Sequence, residues 1–142
     1  MLITRDNGMK EWRRGGQFNG TLHRDDGPAV ENTDGYQAWV REGQYHREDG
    51  PAIIHIAGTR EWYQSGLRHR EGGPAVERAD GGREWWVRGE LHRDDGPAII
   101  HADGSVEYWL QGREVGPSEV KKIIKAGIER RVGAEAFEKL TF

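Results

Sequence analysis

His46-Arg47-Glu48-Asp49-Gly50-Pro51-Ala52-Ile53-Ile54-His55-Ile56-Ala57-Gly58-Thr59-Arg60-Glu61-Trp62-Tyr63-Gln64-Ser65-Gly66-Leu67-Arg68 is one turn of a pattern that this chain repeats. Its opening phrase, His-Arg-x-x-Gly-Pro-Ala, starts at His23, His46, His69 and His92, 23 residues apart each time. A second phrase follows each first one: an aromatic residue, three residues, then glycine, as in Trp39 to Gly43, Trp62 to Gly66, Trp85 to Gly89 and Tyr108 to Gly112. A period of this size marks a repeat architecture, whose units are too small to bury an apolar face alone and must stack on neighbours.

Within the unit, Asp49-Gly50-Pro51 is loop chemistry, because glycine tolerates unusual φ and proline fixes its own φ without a donor. Ala52 to Ile56 is a short β-branched run, Ala57-Gly58 a turn, and Thr59 to Gln64 a second strand carrying Trp62 and Tyr63. Two strands joined by a short glycine turn predict a β-hairpin, and Asp34-Gly35, Asp80-Gly81 and Asp103-Gly104 read as type I′ turns. The first unit is degenerate: Asn7 to Trp12 and Gly16 match the pattern, but Phe18-Asn19-Gly20-Thr21 is an insertion before His23. The last unit breaks off at Val115, where His is due. Alternate units are also more alike than neighbours, since Ala29-Val30-Glu31 matches Ala75-Val76-Glu77, and Ala52-Ile53-Ile54-His55 matches Ala98-Ile99-Ile100-His101.

From Pro117 the period changes to that of a helix, with Ser118 placed to cap it. Val120, Ile123, Ile124, Gly127, Ile128 and Val132 follow 3.6-residue spacing, with Lys121, Lys122, Lys125 and Glu129 between them, and Gly133 is expected to break the run. The fold class predicted is mainly β: a single-layer, twisted and curled antiparallel sheet of stacked 23-residue hairpins over 1–117, with a helical cap over 118–142. Ile123, Ile124 and Ile128 are expected to cover the open end of the sheet, with dimerisation or partner docking as the alternative use of the helix.

The composition narrows the classes of function. The 142 residues suit one domain, and six Trp and 21 Gly in recurring places are a structural rather than a disordered composition. No cysteine is present, which excludes disulfides, thiolate metal sites and a Cys nucleophile. No stretch approaches the roughly 20 apolar residues of a membrane span, so a cytoplasmic protein is expected. The net charge of -3 is set against a direct nucleic-acid binder, which needs to neutralise phosphate.

The spacing aromatic-x-x-Gly-x-x-His, seen in Tyr63 to His69 and Trp86 to His92, resembles the MORN repeat, whose unit is also 23 residues long and forms one β-hairpin. MORN units usually place glycine after the histidine, whereas here arginine follows and Gly-Pro-Ala comes later. The His-Arg-x-x-Gly-Pro-Ala form is similar to a variant in tandem-repeat proteins of bacteriophages and bacteria. The resemblance spans roughly residues 7–117 and implies an interaction scaffold rather than an activity. It does not carry the lipid role of the MORN name here, because the body is acidic and no basic stripe runs along it.

His23, His46, His69 and His92 would form a ladder with a step of about 9–10 Å, two strand spacings. That step is too long for neighbours to share one metal ion, so each is read as structural, bonding a backbone carbonyl across its turn. Arg24, Arg47, Arg70 and Arg93 are expected to pair with Glu61, Glu84, Glu107 or the loop acids. Trp12, Trp39, Trp62, Trp85 and Tyr108 read as the packed stripe between hairpins. Strand alternation sends Val40, Tyr63, Trp86 and Trp109 to the opposite face. The expected binding surface is therefore Trp85, Trp86 and Trp109, flanked by Arg88 and Gln111, with an Ile54/Ile100 strip beside it. His55 and His101 read as solvated strand histidines. The function expected is non-catalytic binding of another protein, most concretely as a phage-encoded, anti-CRISPR-like inhibitor of a bacterial defence complex. No cofactor, metal or membrane is expected, and self-association would use the helix or a sheet edge. The alternatives are a ligand-sequestering or metal-dependent hydrolytic protein built on the His/Asp loops, and a bacterial scaffold or immunity protein.

Overall fold

The computed structural model describes residues 1–15 and 20–140, with side chains to residue 133. Gly16, Phe18 and Asn19 of the first unit lie outside the described residues. The expected mainly-β architecture is present. One large antiparallel sheet runs through Leu2–Thr4, Lys10–Arg14, Val30–Glu31, Gln37–Ala38, Ile53–Ile54, Arg60–Glu61, Val76–Glu77, Arg83–Glu84, Ile99–Ile100 and Val106–Glu107 in chain order, with Thr21–Leu22 paired to Lys10–Arg14. The sheet does not close on itself.

Each unit also forms a second, smaller hairpin that a one-hairpin unit does not distinguish. The small hairpins are Val40–Arg41 with Gln44–Tyr45, Tyr63–Gln64 with Leu67–Arg68, Trp86–Val87 with Glu90–Leu91, and Trp109–Leu110 with Arg113–Glu114. The stripe aromatic is the corner between the two. Trp62 donates its N–H to the Ala75 carbonyl of the next unit (2.7 Å), and its own carbonyl accepts from the His69 N–H of the small hairpin (3.1 Å). Successive small hairpins are stitched by backbone bonds such as Gly66 N–H to the Tyr45 carbonyl (2.9 Å) and Arg47 N–H to the Tyr63 carbonyl (3.3 Å).

The turns are assigned the other way round from the sequence reading. At Asp34-Gly35 and its equivalents only the glycine has positive φ (101° at Gly35), and Gly35 N–H bonds the Asn32 carbonyl while Asn32 N–H bonds that of Tyr36. This is a three-residue loop with a bulge glycine, not a type I′ turn. The aspartate is there because its carboxylate accepts the N–H two residues on, as in Asp34 to Tyr36 (3.0 Å) and Asp103 to Ser105 (2.9 Å). The consecutive left-handed pairs that type I′ requires are Glu42-Gly43, Ser65-Gly66, Arg88-Gly89 and Gln111-Gly112, with φ of about 50° then 80°.

The core is thin. Ala29, Ala52, Ala75 and Ala98 are fully buried, Ile53 and Val76 are buried along one face of the large sheet, and Val40 of the first small hairpin is buried in a cluster with Ala29 and Ala38. Cross-strand register puts Glu11, Val30, Ala38, Ile53, Glu61, Val76, Glu84, Ile99 and Glu107 on that same face.

The chain ends in one α-helix, α1 (Pro117–Leu140). Gly116, not Ser118, caps it: Val120 N–H bonds the Gly116 carbonyl, and Pro117 takes the first helical position, where its missing donor costs nothing. Gly133 does not break it. Its apolar residues divide between two faces. Ile123 is buried, but Ile124 and Ile128, expected to be covered, are 44% and 45% exposed. The buried face is instead made with Gly127, whose backbone lies against Asp95, because a helix this close to a loop needs a residue without Cβ there.

Candidate functional site

The phrase His-Arg-x-x-Gly-Pro-Ala builds a self-contained loop in each unit. The guanidinium of Arg24, Arg47, Arg70 and Arg93 lies 3.8–4.0 Å from the ring centre of Trp12, Trp39, Trp62 and Trp85 respectively. The same side chain donates to the carbonyl of Pro28, Pro51, Pro74 or Pro97 in its own loop. A Cβ on Gly27, Gly50, Gly73 or Gly96 would stand 2.7–3.1 Å from the guanidinium carbon, so glycine leaves room for this lid. The expected partners Glu61, Glu84 and Glu107 are therefore incorrect for these arginines. Arg24, Arg47 and Arg93 bind the loop acids Asp26, Asp49 and Asp95. In the third loop Gly72 replaces that aspartate, and Arg70 reaches Glu77 (3.1 Å) instead. The Trp stripe is consequently half-buried under arginine rather than packed hairpin on hairpin.

The four histidines bind backbone, but an N–H rather than a carbonyl. Nδ1 of His23, His46, His69 and His92 accepts from the N–H of Glu42, Ser65, Arg88 and Gln111 (2.9–3.0 Å), the first residue of each type I′ turn. The left-handed turn directs that N–H outward, and the imidazole satisfies it. Arg88 and Gln111 are thus exposed turn residues whose backbone is committed to the ladder. Nδ1 is engaged in every unit, and among the described residues no group of three or more His, Asp or Glu is arranged to hold a metal ion.

On the other side of the sheet lies a column that the sequence reading did not assemble. A cation or histidine stands six residues before each buried or half-buried glutamate: Arg5 bonds Glu11 (2.8 Å), His55 bonds Glu61 (2.6 Å), Arg78 bonds Glu84, and His101 bonds Glu107 (2.5 Å). His55 and His101 therefore hydrogen-bond the column glutamates; His101 is exposed, as the sequence reading has it, and His55 is half-buried. In the second unit both members change together, to Asn32 and Ala38, and the Asn32 carbonyl oxygen is left buried without a partner among the described residues. That paired change, visible by aligning the units on one another, is the signal that would have revealed the column.

Over the column fold the side chains two residues after each glutamate. Trp86 donates its indole N–H to Glu84 (2.9 Å), Trp109 to Glu107 (3.3 Å), and the Tyr63 hydroxyl to Glu61 (3.4 Å). Trp86 and Trp109 do lie opposite Trp85 and Tyr108, as alternation requires, but they are half-buried on carboxylates rather than free in solvent. Ile54 and Ile100, paired in the sequence reading, differ: Ile100 lines a cavity beneath α1 with Tyr108 and Ile124, and Ile54 does not line it.

Around Glu61 the column is densest. Arg68 donates to Glu61 (2.8 Å) and to the Tyr63 hydroxyl (3.2 Å), Tyr36 packs edge-on to His55, and Tyr45 packs against Tyr63. Burial, with Tyr45 beside it, pushes the Tyr36 phenol up to about 12. Burial also pushes the Glu61 carboxyl upward, but the hydrogen bonds from His55 and Arg68 outweigh it and hold Glu61 below its ordinary 4.5. Glu11 is lowered in the same way by Arg5 and Arg13. A lowered folded-state carboxyl contributes stability that is complete above the unfolded value and is lost as pH falls through the folded one. The urea midpoint is therefore expected to be flat above about pH 5 and to drop below pH 4.5, with Glu61→Gln showing a smaller drop over that window.

No protein-family model matches the chain, and no curated protein matches it significantly. No helix among the described residues is long and apolar enough to cross a membrane.

Proposed function

We propose that this protein is a non-catalytic binding module for another protein, with the outward face of α1 as a docking contact. One observation carries the reading. Ile124, Ile128 and Val132 are 44%, 45% and 56% exposed along one helical stripe, although Ile123 beside them anchors the helix to the sheet. An apolar stripe with a polar rim, here Lys121, Lys125 and Glu129, is what interaction sites look like on a soluble surface. The ladder histidines support the same reading: all four are spent in the same way, on a backbone N–H of a type I′ turn, whereas a hydrolytic site would require one unit that differs from the rest. The resemblance of the loop phrase to units of bacteriophage and bacterial repeat proteins supports a more specific form, a MORN-like, phage-encoded inhibitor of a bacterial defence complex acting in the host cytoplasm.

Ile128→Glu should leave the circular dichroism spectrum and melting temperature unchanged, because the side chain is exposed, and should abolish capture of the partner from bacterial lysate. Ile123→Glu should unseat the helix and lower the melting temperature. A folded Ile128→Glu protein that captures the same partner as well as wild type would remove α1 from the interface.

A further inference from the structure

The large sheet ends in two open strands, and the two ends complement each other. Among the described residues, Leu2–Thr4 pairs on one side only, with Lys10–Arg14, and Val106–Glu107 on one side only, with Ile99–Ile100. The path between them has ten strands, each antiparallel to the next, so the first and last run in opposite directions. A second copy set end to end would present its Leu2–Thr4 antiparallel to Val106–Glu107, which is the polarity of every joint within the sheet.

The backbone groups of the two edges match as well. Ser105 and Glu107 turn their carbonyls inward, to the N–H of His101 and Ala98, so strand alternation points both polar groups of Val106 outward. Met1 and Arg5 bond inward in the same way, to Arg13 and Met9, which points those of Leu2 and Thr4 outward. The repeat's own register then sets Val106 opposite Thr4, Glu107 opposite Ile3, and the Tyr108 N–H on the Leu2 carbonyl. Within the sheet Arg83 stands opposite Ile100, Glu84 opposite Ile99, and the Trp85 N–H on the Ala98 carbonyl in the same way.

Two features of the last strand point to a further neighbour. Each earlier column glutamate lies between two aliphatic residues: Glu11 between Ile3 and Val30, Glu61 between Ile53 and Val76, Glu84 between Val76 and Ile99. Glu107 has Ile99 alone, and its side chain is 32% exposed against 9–11% for the other three. One residue earlier, the inner strands carry Lys10, Gln37, Arg60 and Arg83, but the edge carries Val106. Sheet edges are commonly guarded by charge. Here the apolar member of the series stands where the guard would be, and Leu2–Thr4 carries no charge either. The helix leaves this edge open, since it stands beside Tyr108, in the place of a following loop, with Val106 44% exposed. The cavity of about 580 Å³ between α1 and Tyr108 gives room for Leu2, where the inner joints hold a fully buried alanine.

We infer that the Val106–Glu107 edge is a strand-acceptor site, and that its occupant is Leu2–Thr4 of a second copy of this chain, joined head to tail. The contact is heterologous, so a joined pair keeps one open edge at each end and growth continues with concentration. It is separate from the Ile124/Ile128 stripe and does not depend on it.

Sedimentation velocity of the full-length protein is the test, and the mass is expected to rise with concentration. Thr4→Pro and Val106→Pro each remove one outward N–H, the place on an edge strand where proline is tolerated. Each variant alone should be monomeric. Mixed in equal amounts they should form a species of two copies and none larger, because Val106→Pro still offers its first strand and Thr4→Pro its last. Thr4→Lys and Val106→Lys keep the backbone and repeat the comparison where a proline variant melts early. Ile128→Glu should associate as wild type does. Wild-type protein that stays monomeric as concentration rises would overturn the inference, as would a variant mixture that stays monomeric. Association kept by either single variant would mean that like edges pair, and association lost in Ile128→Glu that the helices pair; each of these results overturns it too.

Discussion

Trp62→Ala is expected to destabilise the protein by about 3 kcal/mol, measured as the shift in chemical-denaturation free energy. The value lies at the low end for a Trp→Ala change because Trp62 is half-buried rather than enclosed. Much of the loss comes from the arginine lid. Arg70 sits 3.9 Å from the Trp62 ring centre and is bonded beyond it to Pro74 and Glu77, so removing the ring takes away the surface that orders three further groups. The double variant Trp62→Ala with Arg70→Ala should cost less than the sum of the single changes, because each side chain acts through the other. Trp12→Ala should cost less than Trp62→Ala although Arg24 covers Trp12 in the same way, since only the strand Leu2–Thr4 lies beyond it in the stack. Equal costs at the two positions, or strict additivity at Trp62 and Arg70, would contradict this account of the stack.

Gly127→Ala should destabilise by about 2 kcal/mol, the opposite sign from the usual effect of this change in a helix. Glycine in a helix interior normally gives way to alanine with a gain of about 1 kcal/mol. Here the new Cβ would stand 2.3 Å from the Asp95 carbonyl oxygen, a rigid backbone atom, so the helix must move off the loop. Moving it uncovers Ile123 and separates Arg130 from Asp94 and Asp95. Thermal melts and hydrogen exchange at residues 117–133 check the effect. Gly133→Ala, where a Cβ meets nothing within 4 Å, is the control and should be neutral or stabilising. A stabilised Gly127→Ala protein would mean that α1 does not rest on the loop.

Several features were legible in the residues themselves because they depend on local chemistry. The 23-residue spacing determines that one structure recurs, Gly-Pro determines loops, β-branched and aromatic runs determine strands, and the change to 3.6-residue spacing after Pro117 determines the helix. Even the alternation that separates Trp85 from Trp86 follows from two residues being consecutive on a strand. The type of each turn was not legible in this way. Asp-Gly favours a left-handed pair in isolation, but the aspartates serve better as acceptors for the N–H two residues on, and the left-handed pairs form where the ladder histidines can bind them.

What only the tertiary structure decided is which side chains meet across units and which faces are covered. Stacking one hairpin on the next turned Arg24, Arg47, Arg70 and Arg93 into lids over Trp12, Trp39, Trp62 and Trp85, a role set by a glycine three residues after each arginine and a ring contributed by the strand before it. It also placed Glu61, Glu84 and Glu107 beneath aromatic side chains that sequence alone would leave in solvent. The helix shows the same limit. Its apolar positions were evident, but periodicity gives a stripe wide enough for two contacts, and the point of closest approach at Gly127 determined that Ile123 faces the sheet, Ile128 faces outward, and Ile124 stands at the edge between them, part exposed and part lining the cavity beneath the helix. A repeat makes its local rules easy to read because it states them several times. The exposed apolar stripe of α1 arises where the repetition stops, and its position is set by packing between elements far apart in the chain.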